Sequence, residues 1–127
     1  MAGYILVVDD DESMRDLLRL HLSAAGYGVE VAEDAIVAGY KVLKNPPDLI
    51  ISDINMPHMD GFEFIAALKA DKTLPYIPVI FLTSVDDGDV RGKELGAAGY
   101  ITKPVRADHL LALVAKHVPG VGVQPIG

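Results

Sequence analysis

Five short apolar runs, set apart by amphipathic stretches, constrain this chain more than any other feature. "YILVV" (residues 4–8), "VEVA" (29–32), "LIIS" (49–52), "VIFLT" (79–83) and "YIT" (100–102) are rich in branched residues and bounded by Gly, Pro or acids. Each is predicted to be a strand. The third and fourth are apolar without alternation, as strands covered on both faces are. Between the runs, Met14, Leu17, Leu18, Leu22 and Ala25 fall at helical spacing over residues 12–25, with Gly26 as the stop. Asp34 suits the N-cap of a second helix to about Leu43, closed by Asn45-Pro46-Pro47. Phe62, Ile65 and Leu68 mark one face of a third helix, and residues 86–95 a weaker fourth. Leu110, Leu113, Val114 and Val118 mark a fifth. This alternation predicts an α/β fold: a doubly wound, five-stranded parallel sheet with helices on both faces and right-handed crossovers.

The chain has 127 residues, enough for one domain with a single core. That domain is expected over residues 1–118, with the Gly/Pro-rich, uncharged stretch 119–127 as a flexible tail or the start of a linker. Eleven basic against 18 acidic residues give a net charge of −7, which argues against nucleic-acid binding by this domain. The absence of cysteine excludes disulfides and thiolate metal sites. "MAGYILVV" lacks the basic start and long apolar run of a signal peptide, and no uncharged stretch approaches the ~20 residues of a membrane span. A cytoplasmic location with no membrane partner is expected.

The chemistry collects where the strands end. In an open α/β sheet, ligands bind just beyond the carboxyl ends of the strands. The first strand delivers Asp9 and Asp10 there, the third Asp53, the fourth Thr83 and Ser84, and the fifth Lys103 before Pro104. Three carboxylates brought together need a counter-charge. A hard cation such as Mg²⁺ suits oxygen ligands of this kind, keeping several waters and taking a phosphate oxygen. Lys103 and Thr83 then offer an ammonium and a hydroxyl to the far side of that phosphate. The set predicts Mg²⁺-assisted phosphoryl transfer, with Asp53 as the nucleophile that forms an acyl phosphate. Asp11 and Glu12 have a plainer role as first-turn acids favoured by the helix dipole.

"ILVVDDDESMR", "PDLIISDINMPHMDGFEF", "IPVIFLTS" and "GAAGYITKP" together resemble the receiver domain of two-component response regulators, and most of all its single-domain chemotaxis type. The likeness runs from Tyr4 to about Val118. It implies a flavodoxin-like sheet of strand order 2-1-3-4-5. It also implies that Asp53 accepts a phosphoryl group from a histidine kinase or phosphotransfer protein. Asp10, Asp53 and the main-chain carbonyl of Asn55 would ligate Mg²⁺, with Asp9 acting through a bound water. Lys103 would pair with the phosphate and Thr83 would turn its hydroxyl toward it. Tyr100 matches an aromatic that swings inward as the threonine moves, although a plain core role fits that residue equally. Pro57 and Gly61 match the loop after the acceptor, and Lys103–Pro104 matches a peptide bond usually cis. The output would be a changed face formed by the fourth helix, fifth strand and fifth helix, read by an unknown partner protein or domain. Such a domain catalyses only its own phosphorylation and slow dephosphorylation.

Departures from the family pattern carry expectations of their own. Val105 follows Pro104 where phenylalanine is frequent, and Ala98-Gly99 replaces a frequent acidic pair used in dimerisation, so a monomer or weak dimer is expected. Val85 has no polar group to position an attacking water, which predicts a long-lived aspartyl phosphate. Two other functions fit less well. A flavin binder of the same topology would place a phosphate-cradling loop after the first strand, where "DDDES" repels phosphate. A Mg²⁺-dependent phosphatase working through an aspartyl phosphate would need an acid at position 55, and Asn55 is not one. The four histidines lack metal-ligand spacing, and Met14, Met56 and Met59 read as packing.

Overall fold

A computed structural model describes residues 3–54, 59, 61–83 and 97–118, with only the backbone of residues 61 and 62. The five expected strands are present as β1 (Tyr4–Val8), β2 (Gly28–Ala32), β3 (Leu49–Asp53), β4 (Val79–Thr83) and β5 (Gly99–Thr102). They form one parallel sheet in the order β2-β1-β3-β4-β5. Among the described residues, the helices are α1 (Glu12–Ala24), α2 (Ala35–Lys44), α3 (Gly61–Ala70) and α4 (Ala107–His117). The weaker helix expected over residues 86–95, and the tail 119–127, fall outside the described residues.

Alternation along the central strands sorts the core into two halves. Leu6, Val8, Ile50, Val79 and Phe81 point to one face and pack with Ala38 and Val42 of α2 and Phe64 and Ile65 of α3. Ile5, Val7, Ile51, Ile80 and Leu82 point to the other and meet Leu18 and Leu22 of α1 and Leu110 and Val114 of α4. Every residue of β3 and β4 is buried, which explains their unbroken apolar run. β2, at an edge, alternates instead.

Local chemistry fixes the ends of the helices. Asp11 caps α1 by accepting the Ser13 N–H, and Asp34 caps α2 by accepting the Val37 N–H at 2.8 Å. Gly26, at φ 98°, takes the left-handed turn that stops α1. Two details go beyond the sequence pattern. Leu17 is 37% exposed, because the buried stripe of α1 follows Leu18 and Leu22, four residues apart, and leaves Leu17 on its flank. On α3, Phe64 joins Ile65 in the core, a position the sequence pattern did not single out; the Phe62 side chain lies outside the description. At Gly99, a Cβ would come 3.1 Å from Leu113 Cδ2 of α4. Glycine at this position therefore permits the close seat of α4 on β5.

Candidate functional site

The strand register carries the site residues to one edge. Asp9 follows β1 directly, and its N–H donates to the Ala32 carbonyl at 3.1 Å, so the backbone of β1 runs straight into the first acid. Asp53 is the last residue of β3, and Thr83, the last of β4, lies in register with Thr102 of β5. The Lys103 N–H donates to the Thr83 carbonyl at 2.7 Å, tying the lysine to the end of β4. The peptide bond from Lys103 to Pro104 is cis, as the resemblance implies.

The three expected carboxylates meet there: one oxygen from each of Asp9, Asp10 and Asp53 lies within 4.8 Å of the others. Asp9 is fully buried and Asp53 is 8% exposed, whereas Asp10 faces solvent. Lys103 Nζ lies 3.4 Å from Asp53 Oδ2 and 3.7 Å from Asp9 Oδ2, one ammonium against three carboxyl groups. Asp9 Oδ1 accepts the Asp11 N–H at 2.9 Å. Asp9 Oδ2, by contrast, is the one buried side-chain oxygen or nitrogen among the described residues that lacks a hydrogen-bond partner. A buried acceptor of this kind costs about 1–3 kcal/mol unless something else meets it.

The electrostatics follow from that crowding. Burial pushes the Asp9 carboxyl up to about 6; the charges of Asp53 and Asp10 add to the shift, and the Asp11 N–H and Lys103 oppose it. Burial alone would lower the Lys103 ammonium, but facing Asp53 and Asp9 raises it above its ordinary value. Thr83 is buried beside this edge. Tyr100, half-buried, packs against Phe81 with ring centroids 6.4 Å apart and a tilt of 30°. Asn55, Pro57, Ser84 and Val85 lie outside the described residues.

One participant had escaped the sequence reading. Arg15, one turn inside α1, donates from its guanidinium to the Asp9 main-chain carbonyl at 2.7 Å. It pins the backbone between the two leading acids and adds a permanent positive charge behind them. A basic residue one turn into a helix that opens on a cluster of acids was the available signal. The all-oxygen donors, the surplus of negative charge and the Asp9 oxygen that lacks a hydrogen bond together fit a hard divalent cation such as Mg²⁺.

The sequence and the fold have counterparts among known proteins. Residues 5–115 match the family model described as "Response regulator receiver domain". The chain is 41% identical over 116 residues to the response regulator PleD of Caulobacter vibrioides, covering 90% of this chain and 26% of that protein. Among solved structures it is similar to the chemotaxis response regulator CheY4 of Vibrio cholerae, with a TM-score of 0.85, 36% identity, and coverage of 91% of this chain and 98% of that one. It is equally similar to the signal receiver domain of a histidine kinase from Syntrophus aciditrophicus, with a TM-score of 0.85, 37% identity, and coverage of 98% and 96%. The chain spans between 26% and 49% of the length of curated relatives such as PleD.

Proposed function

This chain belongs to the response regulator receiver domain family of two-component signalling, and from that membership we propose that Asp53 is its phosphoryl acceptor and Lys103 and Thr83 are the groups that steady the transferred phosphate. One observation carries the reading: among the described residues, two buried aspartates and an exposed one share an edge with one lysine, and one buried carboxylate oxygen has no hydrogen-bond partner. Folding for stability alone would not assemble such a set.

Receiver domains bind Mg²⁺ at an acidic pocket, and here Asp10, Asp53 and the Asn55 carbonyl would hold it, with Asp9 acting through a water. Bound there, the ion neutralises the phosphoryl oxygens and the acids together. Asp53, at the end of a rigid central strand, attacks the phosphorus of a phosphohistidine with one carboxylate oxygen. A P–O bond forms, the P–N bond breaks, and the departing imidazole nitrogen takes a proton from solvent. Lys103 exchanges its contact with Asp53 for one with the phosphoryl oxygens, and the Thr83 hydroxyl donates to them.

The new group brings ~1.5–2 negative charges to that edge. Drawing Thr83 and Lys103 toward it opens space beside Tyr100, whose inward rotation remodels β5, α4 and the segment joining β4 to β5. A gap of a few kcal/mol between the two conformations suffices for this switch. The donor is a histidine kinase or phosphotransfer protein in the cytoplasm, and the altered face controls an output protein or domain. Apart from gaining and slowly losing its own phosphate, the domain turns over no substrate.

The test is incubation with phosphoramidate, whose P–N bond resembles that of phosphohistidine. In Mg²⁺, mass spectrometry is expected to find a single phosphoryl group per chain, on Asp53, with no sustained release of phosphate from simple phosphate esters. Continuous ester turnover, or labelling at another residue, would contradict the reading.

A further inference from the structure

α2 presents an outward apolar stripe that is largely exposed. Its sequence, AIVAGYKVLK, is apolar all round except for Lys41 and Lys44. Ala35, Ala38 and Val42 turn inward to the core, while Ile36, Tyr40 and Leu43 turn outward and are 50%, 73% and 60% exposed. A helix apolar on every side is ordinarily covered on every side. The outward residues are spaced four and then three apart, which is the seam of a helix that packs against another helix. The stripe also borders a groove of about 300 Å³ between α2 and α3, floored by Ala35, Phe64, Ala67 and Leu68.

Two further features indicate what fills it. Gly39 lies mid-helix beside Tyr40 and lines the groove. A Cβ built at Gly39 meets nothing within 4 Å among the described residues, so packing among them gives no reason for a residue that weakens a helix relative to Ala. A bare backbone at this point suits the close approach of a second helix. The charges are also arranged end to end: Glu33 and the capping Asp34 precede the first turn, and Lys41 and Lys44 occupy the last. Lys41 is engaged with Glu30 and the Val31 carbonyl, which leaves Lys44 as the exposed cation at that end.

We propose that this face binds a second copy of the chain, with the two α2 helices antiparallel about a twofold axis near Gly39 and Tyr40. That register sets Ile36 of each copy against Leu43 of the other and lays each Tyr40 across the opposite Gly39 toward the groove. It also brings Lys44 of each copy to the Glu33 end of its mate. Isologous pairing needs a surface complementary to itself, and this one is so only when reversed. The contact is small by the standard of stable interfaces, so a dissociation constant on the order of 10⁻⁴ M is expected. The proposal uses no residue of the acidic edge and stands apart from the phosphoryl-acceptor reading.

Sedimentation equilibrium of the whole chain, from roughly 10 μM to 1 mM, tests it across that range. The unmodified chain is expected to dimerise, and Gly39→Lys, which has room to fold, is expected to weaken the dimer at least ~10-fold. Glu33→Lys and Lys44→Glu each place like charges together and are expected to weaken it several-fold. Mixed in equal amounts, these two variants restore attraction at both ends, and association returns to at least its original strength. A chain that stays monomeric throughout would overturn the proposal and leave the groove to a partner of another kind. An undiminished Gly39→Lys dimer, or a mixture no tighter than its components, would also overturn it.

Discussion

β3 has an aspartate at either end, and the two stand in opposite circumstances. Asp48, just before the strand, accepts the Tyr4 N–H at 2.8 Å while its own N–H donates to the Tyr4 carbonyl at 2.8 Å. Nearby, the buried Tyr27 hydroxyl donates to the Val118 carbonyl and fastens the end of α4 to the sheet. Polar groups at this end answer one another. Asp53, at the other end, faces two further carboxyl groups and a shared lysine, beside an oxygen with no hydrogen-bond partner. The same strand thus begins in a contact that stabilises the fold and ends in one that burdens it. Satisfied polar contacts lie at one end of the strand, and crowded like charges at the other.

The largest difference expected between the ends is in labelling. Asp53→Asn keeps the shape of the side chain but removes the nucleophile, so phosphoryl incorporation should fall at least ~100-fold. Undiminished labelling of the Asp53→Asn chain would break the comparison. Asp9 sharpens it through pH. The proton on Asp9 is held more firmly in the folded chain, with a pKa of about 6 against an ordinary 3.8. The stability Asp9 contributes is therefore fully present below about pH 4 and is lost as the pH rises through about 6, a swing of about 3 kcal/mol. Asp9→Asn has no such proton to lose. Without divalent metal it should be the more stable chain at neutral pH, by up to about 3 kcal/mol, with the gap closing toward about pH 4. Urea unfolding of both chains across that range checks this, and a gap that ignores pH would contradict it. The smallest effects belong to the fastened end. Tyr27→Phe and Asp48→Ala should each cost about 1 kcal/mol of stability and leave phosphoryl labelling unchanged. A labelling defect in either would blur the division between the two ends.

The same contrast explains what was legible in the sequence. Short apolar runs rich in branched residues and bounded by Gly, Pro or acids placed all five strands, and the rule that ligands gather beyond strand ends brought Asp9, Asp10, Asp53, Thr83 and Lys103 to one edge. Asp34 and Gly26 gave the helix ends because capping and left-handed turns depend on local residue type. The fastened end was not legible. Asp48 and Tyr4 are 44 residues apart, Tyr27 and Val118 are 91 apart, and neither pair leaves a periodic trace. Arg15 was overlooked because its partner is a backbone carbonyl, which every residue possesses. Helical spacing set Leu17 beside Leu18 and Leu22 without ranking them, because only packing decides which leucines of α1 the sheet covers.

The account turns on a cation-requiring acid edge, and the most direct measurement is unfolding stability against Mg²⁺ concentration at constant ionic strength. If Asp9, Asp10 and Asp53 surround the ion, stability rises with Mg²⁺, by about 2.7 kcal/mol at a hundredfold excess over the dissociation constant. Asp10→Asn, which alters an exposed residue, should flatten that rise. A chain whose stability is indifferent to Mg²⁺, or whose response survives Asp10→Asn intact, would contradict the account.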